Sequence, residues 1–267
     1  MATRKERKNA MFRLVKNELV KLKIPVILTV VLLSITAIVL TGTLYKSYSL
    51  DYDLEAWEIG REIIDFLFPL FVVVPICWLM YYERKNNFLL YTVPRVGKAK
   101  YLTAKWMAAA VSAFAIIFTP YFLSAVFALY VKPPIVPHIR LSDVSPFTHI
   151  YLDTFINAPL MYAFLLSLWK SVIGVMVMSL GFVLSLYVKN IFVILTGPFI
   201  YSTLENFSLA ILGMPEYRLI TSFEPSVVSE KGISLVSPVI GPMLLIIFTA
   251  VLWLFFTKFK RTTVYEV

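Results

Sequence analysis

Cysteine and histidine are almost missing from this chain of 267 residues, which contains one cysteine, Cys77, and two histidines. A single cysteine excludes an internal disulfide and any metal site built from several thiolates. His138 and His149 lie near Asp143 and Asp153, but their spacing is wide and the same loop holds several prolines, so we predict no metal site. The motifs of zinc peptidases and serine hydrolases are also missing, and no catalytic residue is predicted.

Charged residues are scarce as well, because they form only 15% of a chain that is 59% hydrophobic. A soluble domain carries about 25% charged and about 45–50% apolar residues. The apolar excess is too large for one buried core and is typical of a protein whose outer surface faces lipid. Cys77 falls within an apolar run, where it is expected to pack as a small apolar group.

Six apolar stretches approach the length of about 20 residues that a helix needs to cross a bilayer. The predicted fold class is therefore all-α, a polytopic membrane protein with about six transmembrane helices. The predicted spans are residues 25–44, 66–82, 106–131, 171–188, 191–205 and 238–257.

The fourth span is ambiguous, since residues 154–188 form one apolar stretch that only Lys170 interrupts. A single helix of that length would reach about 50 Å. The interpretation that we favour puts residues 154–169 on the membrane surface and lets Lys170 snorkel to the interface. Alternatively, the span begins near residue 160 and Lys170 faces a polar interior, and a seventh span exists if both pieces cross.

Lysine and arginine are concentrated on one side of the predicted spans. Eight precede the first span and six lie in the loop 83–105, whereas the segment between the first two spans is acidic. By the positive-inside rule, both termini and the loop 83–105 lie in the cytosol. The chain is thus expected to be a multi-pass protein of the cytoplasmic (inner or plasma) membrane. This pattern accounts for the net charge of +9 better than nucleic-acid binding does.

The N-terminal residues 1–24 have helical periodicity, because Phe12, Val15, Leu19 and Leu22 recur on one face while basic residues occupy the others. This pattern predicts an amphipathic helix at the inner membrane surface. It serves either as an anchor for the first span or also as a contact for a cytosolic partner. At the other terminus, residues 258–267 are expected to form a cytosolic tail.

The loop 83–105 reads ERKNNFLLYTVPRVGKAKYLTAK. Its first part is expected to form a short helix that buries Phe88, Leu89 and Leu90, which Pro94 and Gly97 then break. A simple connection between two helices needs fewer residues. The mixture of apolar and basic residues therefore favours docking on a soluble protein, and the alternative is a solvated loop that only sets the orientation.

Two segments resemble the permeases of ABC-2 type transporters: KNELVKLK before the first span, and LLYTVPRVGKAKYLTAK, which follows the Glu after the second span and enters the third. The resemblance implies a cytosolic coupling helix in this loop, short re-entrant helices between the last two spans, and export that is powered by a separate ABC ATPase subunit. It also implies a second permease copy or homologue. The docking residues that it implies are Glu83, Arg84, Phe88, Leu89, Leu90, Pro94 and Arg95.

The phosphate-binding motif GxxxxGK[ST] is missing, because the only Gly-Lys pair is Gly97-Lys98 and Ala99 follows it. The chain therefore does not bind ATP by that means. No cofactor is expected in this chain, and the resemblance implies that ATP and Mg bind to the partner ATPase. The apolar spans favour a hydrophobic or amphipathic cargo, such as a lipid, peptide or antibiotic.

Two other functions stay open. A secondary transporter would place ionisable groups inside the membrane, but the predicted spans hold few of them. A membrane sensor or immunity protein would need no ATPase. The candidates for a translocation path are Lys170, Glu205 and Asn206. The alternatives are that Lys170 and Glu205 lie at helix ends that reach interfacial water, or that these two residues pair near the outer face.

Overall fold

The computed structural model describes residues 4–48, 50–135, 151–225 and 237–258, and every regular element within these ranges is helical. Two single-turn 3₁₀ helices, Tyr45–Ser47 and Pro215–Tyr217, accompany the α-helices. The α-helices are α1 (Arg4–Leu44), α2 (Asp53–Lys85), α3 (Phe88–Val96), α4 (Lys98–Tyr130), α5 (Leu152–Asn157), α6 (Pro159–Tyr187), α7 (Ile191–Ile211), α8 (Leu219–Phe223) and α9 (Ser237–Lys258). The histidines and Asp143 lie outside the described residues, as do residues 259–267 of the predicted tail.

Five of these helices, α1, α2, α4, α6 and α9, are long and apolar enough to cross a membrane. This architecture is compatible with a multi-pass membrane protein. The helix α7 contains the predicted span 191–205 but is not among these five, and its second half carries Ser202, Thr203, Glu205 and Asn206.

The helix α1 continues across the predicted boundary at residue 24 between the amphipathic segment and the first span. It runs through Pro25 without ending. Its 41 residues reach about 60 Å, roughly twice the thickness of a bilayer core. An internal proline removes one helical hydrogen bond and usually kinks or breaks a helix. Here both halves are held by packing, since Leu22 is buried before the proline and Leu33 after it.

The helix α6 corrects the interpretation of residues 154–188 that we favoured. A single helix runs from Pro159 to Tyr187, and Lys170 in its interior is completely buried. The second interpretation, a span that begins near residue 160 with Lys170 facing a polar interior, agrees with the structure. Only the short α5 (Leu152–Asn157) stands apart as a separate helix.

The helix α3 lies between α2 and α4, as the loop sequence predicts, but Pro94 does not break it. The helix continues through Pro94 to Val96 and ends at Gly97, whose φ of 90° is a conformation that favours glycine. Asn87, with a φ of 59°, makes the turn that separates α2 from α3.

In the bundle, α1 and α6 both pack on α2 and α4, which also contact each other, while α7 packs on α2 and α6 and α9 packs on α6 and α8. The helices α1 and α2 approach each other closely at Gly60 of α2, where an added Cβ would lie 2.6 Å from the Cα of Thr41 in α1. The main core is apolar and includes Cys77, which is buried as expected. This core separates two clusters of buried charged side chains.

Candidate functional site: two buried charge networks

The first cluster, called here the α3-side network, consists of Glu18 and Lys21 of α1, Glu83 of α2, and Tyr101 and Lys105 of α4. Lys105 Nζ donates to Glu18 Oε2 at 3.1 Å and also to Glu83. Lys21 Nζ lies 2.7 Å from Glu18 and 2.9 Å from Glu83, and Tyr101 Oη donates to Glu83 at 3.0 Å. Two acids and two bases thus join three helices beside α3.

A salt bridge in a poorly hydrated place is favourable only when each charge is paired and hydrogen-bonded. Glu18, Glu83 and Lys105 are buried, and the α3-side network supplies each with a partner of opposite charge. Lys21 also reaches α3, since its Nζ lies 4.8 Å from the ring centre of Phe88. The network therefore fixes the first turn of α3 against α1 as well as holding α2 to α4.

The predicted docking residues on α3 divide into two faces. Leu89 is 1% exposed and Val93 is also buried, so these two face the bundle. Phe88 and Tyr91 are 41% and 72% exposed, and Pro94 and Arg95 are exposed as well. The prediction that Phe88 is buried is wrong, because its side chain lies on the outward face, and the side chain of Leu90 lies outside what the structure describes.

Arg84 also differs from the other predicted docking residues. Its guanidinium donates to the carbonyl oxygen of Val188, the residue that follows α6. Arg84 is therefore committed to joining the ends of α2 and α6. The outward face of α3, formed by Phe88, Tyr91, Pro94 and Arg95, is the part of the loop that is open to a partner.

The second cluster, called here the distal network, lies at the opposite end of the apolar core. It contains Glu58, Arg61 and Asp65 of α2, Tyr121 of α4, Lys170 of α6, and Glu224 just after α8, and the five charged members are all buried. Lys170 Nζ donates to Asp65 Oδ2 at 2.9 Å and to Glu224. Arg61 Nη2 lies 3.1 Å from Glu224, and Tyr121 Oη donates to Asp65.

Aromatic rings surround the two cations of the distal network. The guanidinium of Arg61 lies 3.4 Å from the ring centre of Trp57, and Lys170 Nζ lies 4.8 Å from that of Phe223. Phe223 in turn stacks on Phe68 at 3.9 Å. Such cation–π contacts stabilise a cation that has left water, and here they hold α8 against α2 and α6.

Glu205 and Asn206, the other path candidates, do not contact Lys170. The carboxylate of Glu205 accepts a hydrogen bond from the backbone N–H of Leu219, with both of its oxygens at 3.0 Å. Asn206 accepts from Arg218 Nη1 at 3.1 Å. Both residues thus hold the segment before α8 against α7, and the alternative in which Glu205 pairs with Lys170 is wrong.

Four charged members of the distal network were not predicted as site residues: Glu58, Arg61 and Asp65 of α2, and Glu224. Glu58, Arg61 and Asp65 precede the apolar run of the second predicted span, and this position in the sequence indicates a loop. Glu224 falls in a segment of mixed composition. The one available signal was Lys170, because a lysine buried within an apolar helix requires an acidic partner elsewhere in the chain.

The two networks are separated by about 18 residues of α2, from Asp65 to Glu83, which corresponds to about 27 Å of helix. On α4 the interval from Lys105 to Tyr121 corresponds to about 24 Å. Both distances approach the thickness of a bilayer hydrocarbon core, about 30 Å. The arrangement therefore places one charge network near each end of the apolar part of the bundle.

A groove of about 470 Å³ lies beside the distal network, between α6 and the start of α9. Trp169 lines it, and its indole N–H donates to the carbonyl oxygen of Ser222 at 2.9 Å. The lining is mainly apolar and includes Tyr162, Leu165, Leu166, Trp169, Pro238 and Val239. Its size falls within the range of small-molecule pockets.

No protein-family model matches the chain, and neither does any curated protein or solved structure.

Proposed function

We propose that this chain is the permease subunit of an ATP-driven ABC exporter, embedded in the cytoplasmic membrane with both termini in the cytosol. One observation carries the proposal: α3 is a short helix between two long apolar helices, with a buried face and an outward face. Phe88, Tyr91 and Arg95 on the outward face are exposed, while Leu89 fixes the helix to the bundle. Such a helix suits docking on a cytosolic ATPase.

The energy source must then lie on another polypeptide, because the chain has no phosphate-binding loop. The partner subunit would bind ATP and Mg and would press on α3 when it closes. Movement of α3 reaches the membrane helices through Leu89 and through the α3-side network, which joins α1, α2 and α4. By analogy with permeases of this type, a second copy or a homologue completes the pathway.

The proposed cargo is hydrophobic or amphipathic, such as a lipid, a peptide or an antibiotic. The groove between α6 and α9 supports this proposal, because it is mainly apolar and has the volume of a small-molecule site. Trp169 and Tyr162 line it and offer wide apolar surfaces with a polar edge.

The test replaces one exposed tyrosine at each end of the bundle. Tyr91 on α3 is 72% exposed and Tyr130 at the far end of α4 is 68% exposed, so the two form a matched pair. The chain is co-expressed with candidate ABC ATPase subunits, and ATP hydrolysis by the purified complex is measured in proteoliposomes. Tyr91→Asp is expected to lower complex formation and coupled hydrolysis at least tenfold, and Tyr130→Asp to leave both unchanged.

The exporter proposal fails if Tyr91→Asp and Tyr130→Asp behave alike, or if the chain transports with no ATPase present. The second result would favour ion-coupled secondary transport. The distal network supports that second candidate, because buried ionisable groups within a helical bundle are typical of proton and ion carriers. Uptake driven by an imposed proton gradient in ATP-free proteoliposomes distinguishes the two functions.

A further inference from the structure

Three cationic side chains come together where α2 and α6 end, at the same end of the bundle as the α3-side network. Arg84 and Lys85 are the last two residues of α2, and Lys189 lies two positions after the end of α6. The hydrogen bond from Arg84 to the carbonyl oxygen of Val188 joins the two helix ends, so Lys85 and Lys189 are each the chain neighbour of a bonded residue. Arg84, Lys85 and Lys189 are called here the junction cluster.

The junction cluster has no acidic partner among the described residues. Neither Arg84 nor the two exposed lysines form an ion pair there. Glu83, the acid beside them in sequence, belongs to the α3-side network, where its carboxylate accepts hydrogen bonds from two lysines and a tyrosine. The junction cluster is therefore a local excess of positive charge.

Arg84 is the member of the cluster that is best suited to hold an anion. Its side chain is half-buried, and its one hydrogen bond goes to a neutral backbone carbonyl. A guanidinium carries five N–H donors, and its planar fork fits two oxygens of a phosphate or a carboxylate. Because a partly desolvated cation is stabilised by an opposite charge, an anionic ligand fits this position.

The height of the junction cluster in the bundle corresponds to the level of lipid headgroups. Arg84 follows Asp65 on α2 by about 19 residues, which corresponds to about 28 Å of helix. Val188 follows Lys170 by about 18 residues, or about 27 Å. With the distal network near one boundary of a bilayer core of about 30 Å, the junction cluster lies near the other boundary.

An apolar surface leads from the junction cluster toward the middle of the bundle. Trp78, Tyr82 and Lys85 recur at i, i+4 and i+7 and therefore share one face of α2. Both rings are exposed, and their centres lie 5.7 Å apart. Tryptophan and tyrosine are typical of the membrane–water interface. A ligand with a phosphate group and acyl chains uses both the cations and this aromatic face, whereas a free phosphate ion uses only the cations.

We propose that the junction cluster binds the phosphate group of an anionic phospholipid, whose acyl chains lie along the face of α2 that carries Trp78 and Tyr82. Arg84 donates to the phosphate oxygens, and the two lysines add positive charge. A zwitterionic headgroup carries a cation of its own, which the three cations repel, so the site prefers a lipid with net negative charge. The bound lipid stabilises the end of α2 from which α3 begins, whichever energy source drives transport.

The experiment measures the apparent Tm of the purified protein in mild detergent while phosphatidylglycerol or phosphatidylcholine with the same acyl chains is added. A ligand that binds only the folded state raises the Tm as its concentration increases, and phosphatidylglycerol is expected to raise it more. The double variant Lys85→Gln/Lys189→Gln keeps the bond between Arg84 and Val188. It is expected to need about tenfold more phosphatidylglycerol for the same rise, because loss of a charge-assisted hydrogen bond weakens binding by about that factor or more.

The matched control is the double variant Lys23→Gln/Lys100→Gln. Lys23 of α1 and Lys100 of α4 are exposed at the same end of the bundle, so this variant loses the same charge and should respond to phosphatidylglycerol as the wild type does. Equal responses of the two double variants would assign the effect to the charge of the whole surface and would overturn the proposal. Equal rises with the two lipids in the wild type would also overturn it. The same rise with sodium phosphate at equal concentration would mean that the cluster binds a free phosphate ion and not a lipid.

Arg84 is tested by the difference between the two lipids and not by its basal stability. Arg84→Gln also loses the bond to Val188, so a lower basal Tm is expected with or without lipid. The additional rise with phosphatidylglycerol should disappear in Arg84→Gln and become smaller in Arg84→Lys, which keeps the charge but lacks the fork. A full rise in Arg84→Gln contradicts the proposal. None of these measurements needs an ATPase, so failure here leaves the exporter proposal untouched.

Discussion

Lys170 of α6 donates a 2.9 Å hydrogen bond to Asp65 of α2, and both side chains are buried. The same ammonium group also binds Glu224, so that one lysine joins α2, α6 and the segment after α8. Its charge is stabilised by two acids and by the rings of Tyr121 and Phe223. Lys170 is therefore the centre of the distal network.

Replacing Lys170 by methionine tests this role. Methionine keeps the length of the side chain but leaves the two acids without their shared cation, and breaking a buried pair costs about 3–5 kcal/mol. We expect a marked fall in apparent Tm in detergent. Lys46→Met is the control, because Lys46 is exposed and a surface change of this kind stays within about 0.5 kcal/mol.

A second variant separates the lost charge from the lost packing. Lys170→Met combined with Glu224→Gln removes one acid together with the cation, so the double variant is expected to be more stable than Lys170→Met alone. Equal stability of the single and double variants would mean that packing around Lys170, and not its charge, holds the three elements together.

The distal network shows where the sequence stops being informative. Long apolar runs predict the helices α1, α2, α4, α6 and α9, because the apolar residues that one lipid-facing helix needs lie together in one stretch of the sequence. The pairing of Lys170 with Asp65 and Glu224 is not local, since these residues are far apart in sequence. Asp65 stands one position before the apolar run of α2, where hydropathy alone indicates a loop.

The same limit applies to α3. Its position between two spans follows from the order of apolar and basic segments, and its two faces follow only from packing. From the sequence we predict that Phe88, Leu89 and Leu90 are buried together. A helix has 3.6 residues per turn, however, so the neighbouring side chains of Phe88 and Leu89 point in different directions. Which face is outward depends on how α3 meets α2 and α4.

The two faces of α3 predict different consequences for two similar changes. Leu89→Asp puts a carboxylate where a leucine is buried, and the expected loss of stability is at least about 3 kcal/mol. Tyr91→Asp changes a residue on the outward face and is expected to leave the apparent Tm unchanged. The two variants are compared by thermal unfolding in the same detergent. A stability loss with Tyr91→Asp would mean that Tyr91 belongs to the fold and not to a docking surface.

At Gly60, the backbone of α2 lies against the backbone of α1. A Cβ at Gly60 would lie 2.6 Å from Thr41 Cα and 2.7 Å from Thr41 N, atoms that move only with the helix. Gly60→Ala is therefore expected to destabilise the protein by about 1–3 kcal/mol. At Gly197 the nearest atom is the end of the flexible Leu184 side chain, so Gly197→Ala is the control and is expected to be neutral or slightly stabilising. Equal thermal stability of both variants would show that α1 and α2 separate easily at this point.

The proposed orientation of the bundle predicts which ends react with a membrane-impermeant thiol reagent. Cys77 is the only cysteine and is buried, so Cys77→Ala gives an unreactive background into which single cysteines are introduced. Tyr52→Cys precedes α2 and Lys98→Cys follows α3, and both positions are exposed. With the basic connections in the cytosol, Tyr52→Cys should react in intact cells, and Lys98→Cys should react only after the membrane is permeabilised. The reverse pattern would put α3 outside the cell, where no cytosolic ATPase reaches it, and would exclude the exporter mechanism while leaving the distal network as it is.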